Sequence, residues 1–219
     1  MNRPSNVDKY FNLILPHIRK HGFSHLKIEE ILKYMNISKA TFYKHFTSKD
    51  DLIKQLVSNY TAYVINIDPL VLDETLTFEY RFGKIFLKSV LSIMIMTDEF
   101  YEDIKQFQPS LISLITAAHQ NRCELLQRFY FAGFEKGSFN PINPIIYFYQ
   151  DDAVIRSLMN PMLINHYNTS QKQQLIDFYI LKKYTLFKAD RIGTMDDSAM
   201  ELEISQILQT ISFELQPLT

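Results

Sequence analysis

The chain has 219 residues, 47% of them hydrophobic, with only 5 glycines and 8 prolines, a composition that excludes a disordered chain and disfavours a turn-rich β-sandwich. The formal net charge of -1 conceals an asymmetry: residues 1–60 hold ten Lys/Arg against five Asp/Glu, a net +5, and the remainder is acidic at −6. A basic head on an acidic body is the pattern of a protein whose head alone meets a polyanion.

In chain order, the first predicted helix starts at Ser5, a capping hydroxyl with Asp8 three residues on. Val7, Tyr10, Phe11, Ile14, Leu15 and Ile18 form its apolar stripe, and Gly22 is placed to end it. Pro16 removes a backbone donor inside it and predicts a kink. Ile28, Ile31, Leu32 and Met35 give a short second helix. After Asn36-Ile37-Ser38, a third carries Ala40, Tyr43 and Phe46. Three helices in so short a stretch have the length of a helix-turn-helix domain. A fourth starts at Ser48, with Asp51 in the capping-box position, and runs through Leu52, Ile53, Leu56 and Val57 towards Tyr60 and Val64, until Asp68-Pro69 interrupts it. Further helices are predicted over about 74–96, 98–107, 109–136, 144–164, 170–188 and 197–215. The expected fold is all-α: a three-helix domain over residues 1–50, and a larger helical domain over 51–219 for ligand binding and dimerisation. The helix at about 48–66 links the two.

The segment from Asn36 to Phe46 is the most informative. Asn tolerates the left-handed backbone of a tight inter-helix turn, Ile37 can plug the space between the helices, and Ser38 can cap the next one. That helix then exposes Lys39, Thr41, Lys44 and His45, donors able to reach base edges and phosphates from a major groove. Tyr43 can pack through its ring and still donate to a phosphate oxygen. Lys49 sits in the first turn of the fourth helix, where free N–H groups also favour phosphate.

Ile31 through Leu52 resembles the signature of the TetR/AcrR regulators. The matching positions are Ile31, Ile37, Ser38, Thr41, Tyr43, His45, Phe46, Lys49 and Leu52, with Phe23 after the helix-ending glycine. The resemblance covers about residues 7–56 and implies a DNA-binding regulator, in which the positions of Lys39, Ala40 and Thr41 approach bases and those of Tyr43, His45 and Lys49 hold phosphates. Departures are Asn36 for the usual turn glycine, Leu32 and Met35 for small alanines, and Ala40 for a common glycine or proline. Lys27 replaces a frequent capping Thr or Ser, which loses a cap worth about 1 kcal/mol and adds a phosphate contact. These departures motivate a rival reading, an adaptor that keeps the fold and has lost DNA reading.

One such head reads too few base pairs for specificity, so a homodimer on double-stranded DNA is expected. The resemblance places its interface on the helices at about 144–164 and 170–188, with Ile155, Leu158, Met159, Met162, Leu175, Phe178, Tyr179 and Lys182 on or near it. Aromatics and methionines crowd the body, and a few polar groups lie among them. Met94, Phe107, His119, Cys123, Tyr147 and Asp151 are therefore candidates to line a site for a small apolar or aromatic effector, with Arg122 nearby. The implied outcome is a ligand-responsive repressor. Catalysis is not expected: no Gly-rich phosphate loop, metal-ligand cluster or nucleophile motif is present, and no cofactor is implied. A lone cysteine, Cys123, rules out an internal disulfide, no apolar run is long enough to span a bilayer, and the opening residues lack the apolar core of a signal peptide. A cytoplasmic protein is the expectation.

Overall fold

The computed structural model describes residues 6–66, 68–166, 168–193 and 195–211. The first helix, α1 (Asn6–His21), continues unbroken through Pro16; Asn12, whose carbonyl loses its helical donor, is exposed. The expected Ser5 cap lies outside the described residues. Helices α2 (Ile28–Met35), α3 (Lys39–His45) and α4 (Lys49–Ile65) follow as the hydrophobic spacing predicts.

The body is built from α5 (Asp68–Leu72), α6 (Phe78–Ile95), α7 (Asp98–Phe107), a 3-10 turn (Pro109–Leu111), α8 (Ile112–Glu135), α9 (Pro144–Ser157), α10 (Pro161–His166), α11 (Gln171–Leu186), α12 (Ala189–Ile192) and α13 (Met200–Ile211). Side-chain caps account for four of the starts. Thr77, Thr97, Asn143 and Ser170 each accept a backbone N–H from the first turn of α6, α7, α9 and α11. Two expectations are corrected. The α6 helix begins at Phe78 rather than about 74, because Asp73 closes a turn on Thr75, accepting its N–H at 3.0 Å. The single helix expected over 144–164 is two, since Pro161 has no N–H to continue a helix and instead opens α10.

Two hydrophobic clusters form the core. One fills the body around Phe82, Phe86, Phe129, Phe139, Phe178 and Phe187, all six joined to neighbouring rings by edge and tilted contacts about 5–6 Å between centroids. The other begins in the head with Phe11, Ile14, Ile18, Phe42 and Phe46, takes in the whole inner face of α4, and continues into Phe100, Ile104 and Ile115 of α7 and α8. The head's core therefore does not end at residue 50. Leu52, Ile53, Leu56 and Val57 on α4 belong to it.

Candidate nucleic-acid interface

The turn between α2 and α3 is made by Asn36, in the left-handed conformation at φ 51 and ψ 51, with its N–H returned to Lys33 at 3.1 Å. Asn does the work of the glycine common at such a turn, since its short polar side chain tolerates this region. Met35 is buried and Leu32 half-buried, so both larger side chains are absorbed by the core and leave the turn intact. Ser38 caps α3 by accepting the Thr41 N–H at 3.1 Å, and its hydroxyl also meets the Thr41 hydroxyl at 2.9 Å.

Phe42 is the inward side of α3, fully buried against Phe46 at 5.2 Å between ring centroids. The outward side is Lys39, Ala40, Tyr43 and Lys44, all exposed, with no other part of the described chain over them. Tyr43 packs its ring edge-on against Phe42 and remains 49% exposed, so its hydroxyl faces water. His45 is half-buried, with its ring edge-on to Tyr10 of α1 at 5.5 Å. Lys27 is exposed at the start of α2. The missing Ser or Thr is partly made good by Glu30, whose carboxylate accepts the Lys27 N–H at 2.8 Å.

Residues 17–56, which contain this whole constellation except the first turns of α1, match the family model described as bacterial regulatory proteins, tetR family. Over these residues the head is similar to the DNA-binding domains of that family. Solved structures extend the likeness to the body. Reduced NemR of E. coli shares 14% identity over 83% of this chain and 99% of that one, with a TM-score of 0.55. The fatty acid degradation regulator FadR of Bacillus halodurans shares 16% over 83% and 96%, at 0.54. A TetR transcriptional regulator of Chloroflexus aurantiacus shares 14% over 84% and 98%, at 0.53. At these identities the likeness establishes the fold. No curated protein sequence matches the chain.

Lys49 is placed differently from the role the sequence suggested. Its ammonium donates to the carbonyls of Phe23 at 3.4 Å, Ser24 at 2.9 Å and Leu26 at 3.1 Å, which uses all three of its protons. The N–H groups of the same loop turn the other way, with Phe23 and Ser24 donating to Asp103 Oδ2 of α7 at 2.5 and 2.8 Å. Gly22 makes that approach possible: its φ is +71, and a Cβ there would lie 2.8 Å from the Asp103 carboxyl carbon. The loop joining α1 to α2 is thus gripped by a cation of the head and an anion of the body.

A second bridge is Arg19. From α1 it donates to the Met94 carbonyl in the last turn of α6 at 2.6 Å and to the Ile211 carbonyl at the end of α13 at 3.1 Å, while Thr97 donates to its own carbonyl at 2.7 Å. One guanidinium thus serves backbone carbonyls of two body helices. Burial pushes its pKa down to about 10, which leaves it charged at neutral pH. Neither Asp103 nor Arg19 was singled out from the sequence. Each acts over a separation of 75 residues or more, which no local pattern reports.

The six effector candidates are spread over α6, α7, α8 and α9. Met94 is packed in the body core, and Phe107 stands 52% exposed at the end of α7. His119 Nε2 and the buried Tyr60 hydroxyl share a hydrogen bond at 2.8 Å, with half-buried Cys123 one turn along α8; Arg122 donates to Ser89 at 2.6 Å. Burial, then Arg122 and Arg156, lowers the His119 pKa, and burial pushes the Cys123 thiol up and Tyr60 up to about 12. Tyr147 and Asp151 lie on α9, which packs against α8. Asp151 accepts from Lys182 of α11 in a buried ion pair, and the Lys182 ammonium lies 5.7 Å from the Tyr147 ring. A groove of about 210 Å3 opens instead between α1, α4, α6 and the end of α13, and none of the six lines it. Among the described residues no helix is long and apolar enough to cross a membrane, and no three His, Cys, Asp or Glu side chains converge as metal ligands.

The expected interface list also changes. Ile155, Leu175, Phe178, Tyr179 and Lys182 are buried inside the chain, and Leu158 and Met159 pack against its core. Of that list only Met162, 78% exposed, faces outward. What α9 and α11 do expose is Ile145, Ile146 and Tyr149 on one helix and Ile180, Leu181 and Tyr184 on the other. The helical period puts each trio on one outward stripe, four residues or fewer apart.

Proposed function

We propose that the chain is a transcription regulator that binds double-stranded DNA as a homodimer, each copy laying α3 in a major groove. The observation that carries this reading is the uncovered outer side of α3. Lys39 and Ala40, at its N-terminal end with Thr41, face the base edges, while Tyr43, Lys44 and His45 hold phosphates. Lys27 at the start of α2 adds a flanking phosphate contact. Lys49 serves the head from inside, fixing the loop that carries α2 rather than touching DNA. The outward apolar stripes of α9 and α11 supply the dimer contact, which sets two heads about 34 Å apart on one face of the duplex. Six large apolar side chains left in water on adjoining helices favour a partner of the same kind.

The adaptor reading loses its motive, because Leu32 and Met35 fit the core and Asn36 forms the turn. Repression relieved by a small effector completes the proposal: a ligand that prefers one setting of the heads shifts the dimer off its operator.

Selection of bound fragments from random duplex DNA tests the reading. The expected product is a palindrome bound with steep salt dependence. Sedimentation at micromolar concentration is expected to give a dimer, and Leu181→Glu a monomer that still folds. No retained duplex at low salt, or a wild-type monomer, would overturn the proposal.

A further inference from the structure

Where α4 ends beside α6 and α8, two half-buried cations stand close together. Arg122 of α8 reaches across to α6 and donates from Nη2 to the Ser89 hydroxyl at 2.6 Å. Ser89 is buried and itself donates to the Ile85 carbonyl, so the partner of the guanidinium is a neutral one. Lys88, the preceding residue of α6, holds its ammonium 5.0 Å from the centre of the Tyr63 ring and donates to the carbonyl of Asn66, the residue that closes α4, at 2.6 Å. Among the described residues neither cation enters a salt bridge. They also oppose each other, since burial and then the charge of Arg122 lower the Lys88 pKa. Asp151, whose charge acts together with that of Arg122 on Tyr130 and Lys182, is already bonded to Lys182.

A guanidinium drawn half out of water with one neutral bond has further N–H donors to place, and its planar fork matches the two oxygens of a carboxylate. A second cation alongside strengthens the attraction for an anion, and a cation entering the same corner would be repelled. Burial pushes the Tyr63 hydroxyl up to about 12 and raises the Cys123 thiol, so both flanks stay neutral and offer no rival negative charge. We propose that Arg122 and Lys88 form a binding site for a small organic carboxylate, its oxygens on the guanidinium fork and the ammonium and its apolar part against Tyr63 and Cys123. Both cations keep part of their surface in water, so the anion reaches them without the helices parting. The occupant would tie the end of α4 to α6 and α8, and α4 is the helix whose inner face carries the core of the head. Its binding therefore fixes the head's setting on the body. The consequence for operator affinity rests on the DNA-binding reading; the binding itself does not.

Benzoate is the probe, and benzylammonium, a cation of similar shape, is the control; inorganic phosphate is the rival oxyanion. Calorimetric titration into the full chain at constant ionic strength, with thermal unfolding alongside, is expected to show one saturable site and a raised Tm for benzoate and neither for benzylammonium. Arg122→Met, which keeps an apolar stem and removes the fork, is expected to abolish binding. It is also expected to leave the Tm of the unliganded chain unchanged or higher, because Lys88 loses a like charge beside it. Lys88→Met is expected to weaken benzoate about tenfold, the loss of one charge-assisted contact, and it decides the matter alone if Arg122→Met folds poorly. Equal binding of benzoate and benzylammonium, full affinity in both variants, or no binding by the wild type would overturn the site. Binding of phosphate in place of benzoate would overturn the carboxylate. With the site occupied, duplex affinity is expected to change several-fold. An unchanged affinity for duplex overturns the coupling to the head, whereas binding of benzoate by a chain that retains no duplex leaves the site standing and removes the DNA reading.

Discussion

The head and the body differ in where their working surfaces come from. In the head, the residues proposed to meet DNA lie, Lys27 apart, on one seven-residue helix, placed by a turn and a cap that are themselves adjacent in sequence. In the body, the outward apolar stripes and the buried Asp151–Lys182 pair each need two helices that start some 27 residues apart, at Pro144 and Gln171. Mechanical independence runs the other way from legibility. The head, which reads as a unit in the sequence, shares its core with α7 and α8 and is held at one loop by Asp103. A segment that carries its own functional signature need not carry its own stability.

The sharpest way to break that comparison is at the buried pair. Lys182 sits wholly inside the body, where burial lowers its pKa and Asp151 opposes the shift. Lys182→Met leaves the Asp151 carboxylate buried without its cation and is expected to cost about 3–5 kcal/mol in urea unfolding, with Lys182→Met/Asp151→Leu recovering most of it. A single variant as stable as wild type would mean that α9 and α11 do not depend on this contact. Next in size is Asp103→Ala, which leaves two backbone N–H groups of the α1–α2 loop without their acceptor; about 2 kcal/mol is expected from the same measurement. Asp103→Asn, which keeps an acceptor oxygen, falls between. If the head were self-sufficient, neither change would touch its stability.

The same contrast explains what the sequence disclosed. The all-α architecture, the caps at Ser38, Ser48, Thr97 and Ser170 and the left-handed Asn36 follow from neighbours in the chain. So does the exposed row on α3, because the period of a helix fixes which residues share a face. Lys49 shows the limit: its position in a first turn suggested a phosphate contact, but its ammonium finds three carbonyls of a loop more than twenty residues upstream. Phe178 and Tyr179 were expected at an interface, yet periodicity reports only that a side is apolar, not whether the chain or a second copy covers it.

On DNA the expected effects are smaller and differ in kind. Lys39→Ala is expected to weaken operator binding about tenfold and relax preference at particular positions, whereas Tyr43→Phe, which deletes only the hydroxyl, should weaken all duplexes modestly and alike. Binding of each variant to operator and to random duplex separates the two. Equal loss on both for Lys39→Ala would move it from the reading group to the phosphate group.

The least conspicuous effect belongs to acid. His119 is neutral in the folded chain because it is buried beside Arg122 and Arg156, with Asp152 only partly offsetting them, and its Nε2 shares a hydrogen bond with the Tyr60 hydroxyl. Its folded pKa lies below the usual value of 6.5, so the unfolded chain binds a proton first as pH falls. Stability attached to this contact is complete above about pH 6.5 and declines below it, towards the folded pKa. His17 of α1, lowered by burial and by His21 and Lys20, shifts in the same direction. A Tm that falls between pH 7.5 and 5.5 is therefore expected. His119→Gln, which keeps an acceptor for Tyr60 and does not titrate, should flatten part of that slope and leave the share due to His17. An unaltered slope would mean that α4 and α8 are not coupled through this titration, and that the polar links between head and body are those of Asp103 and Arg19, beside the shared core.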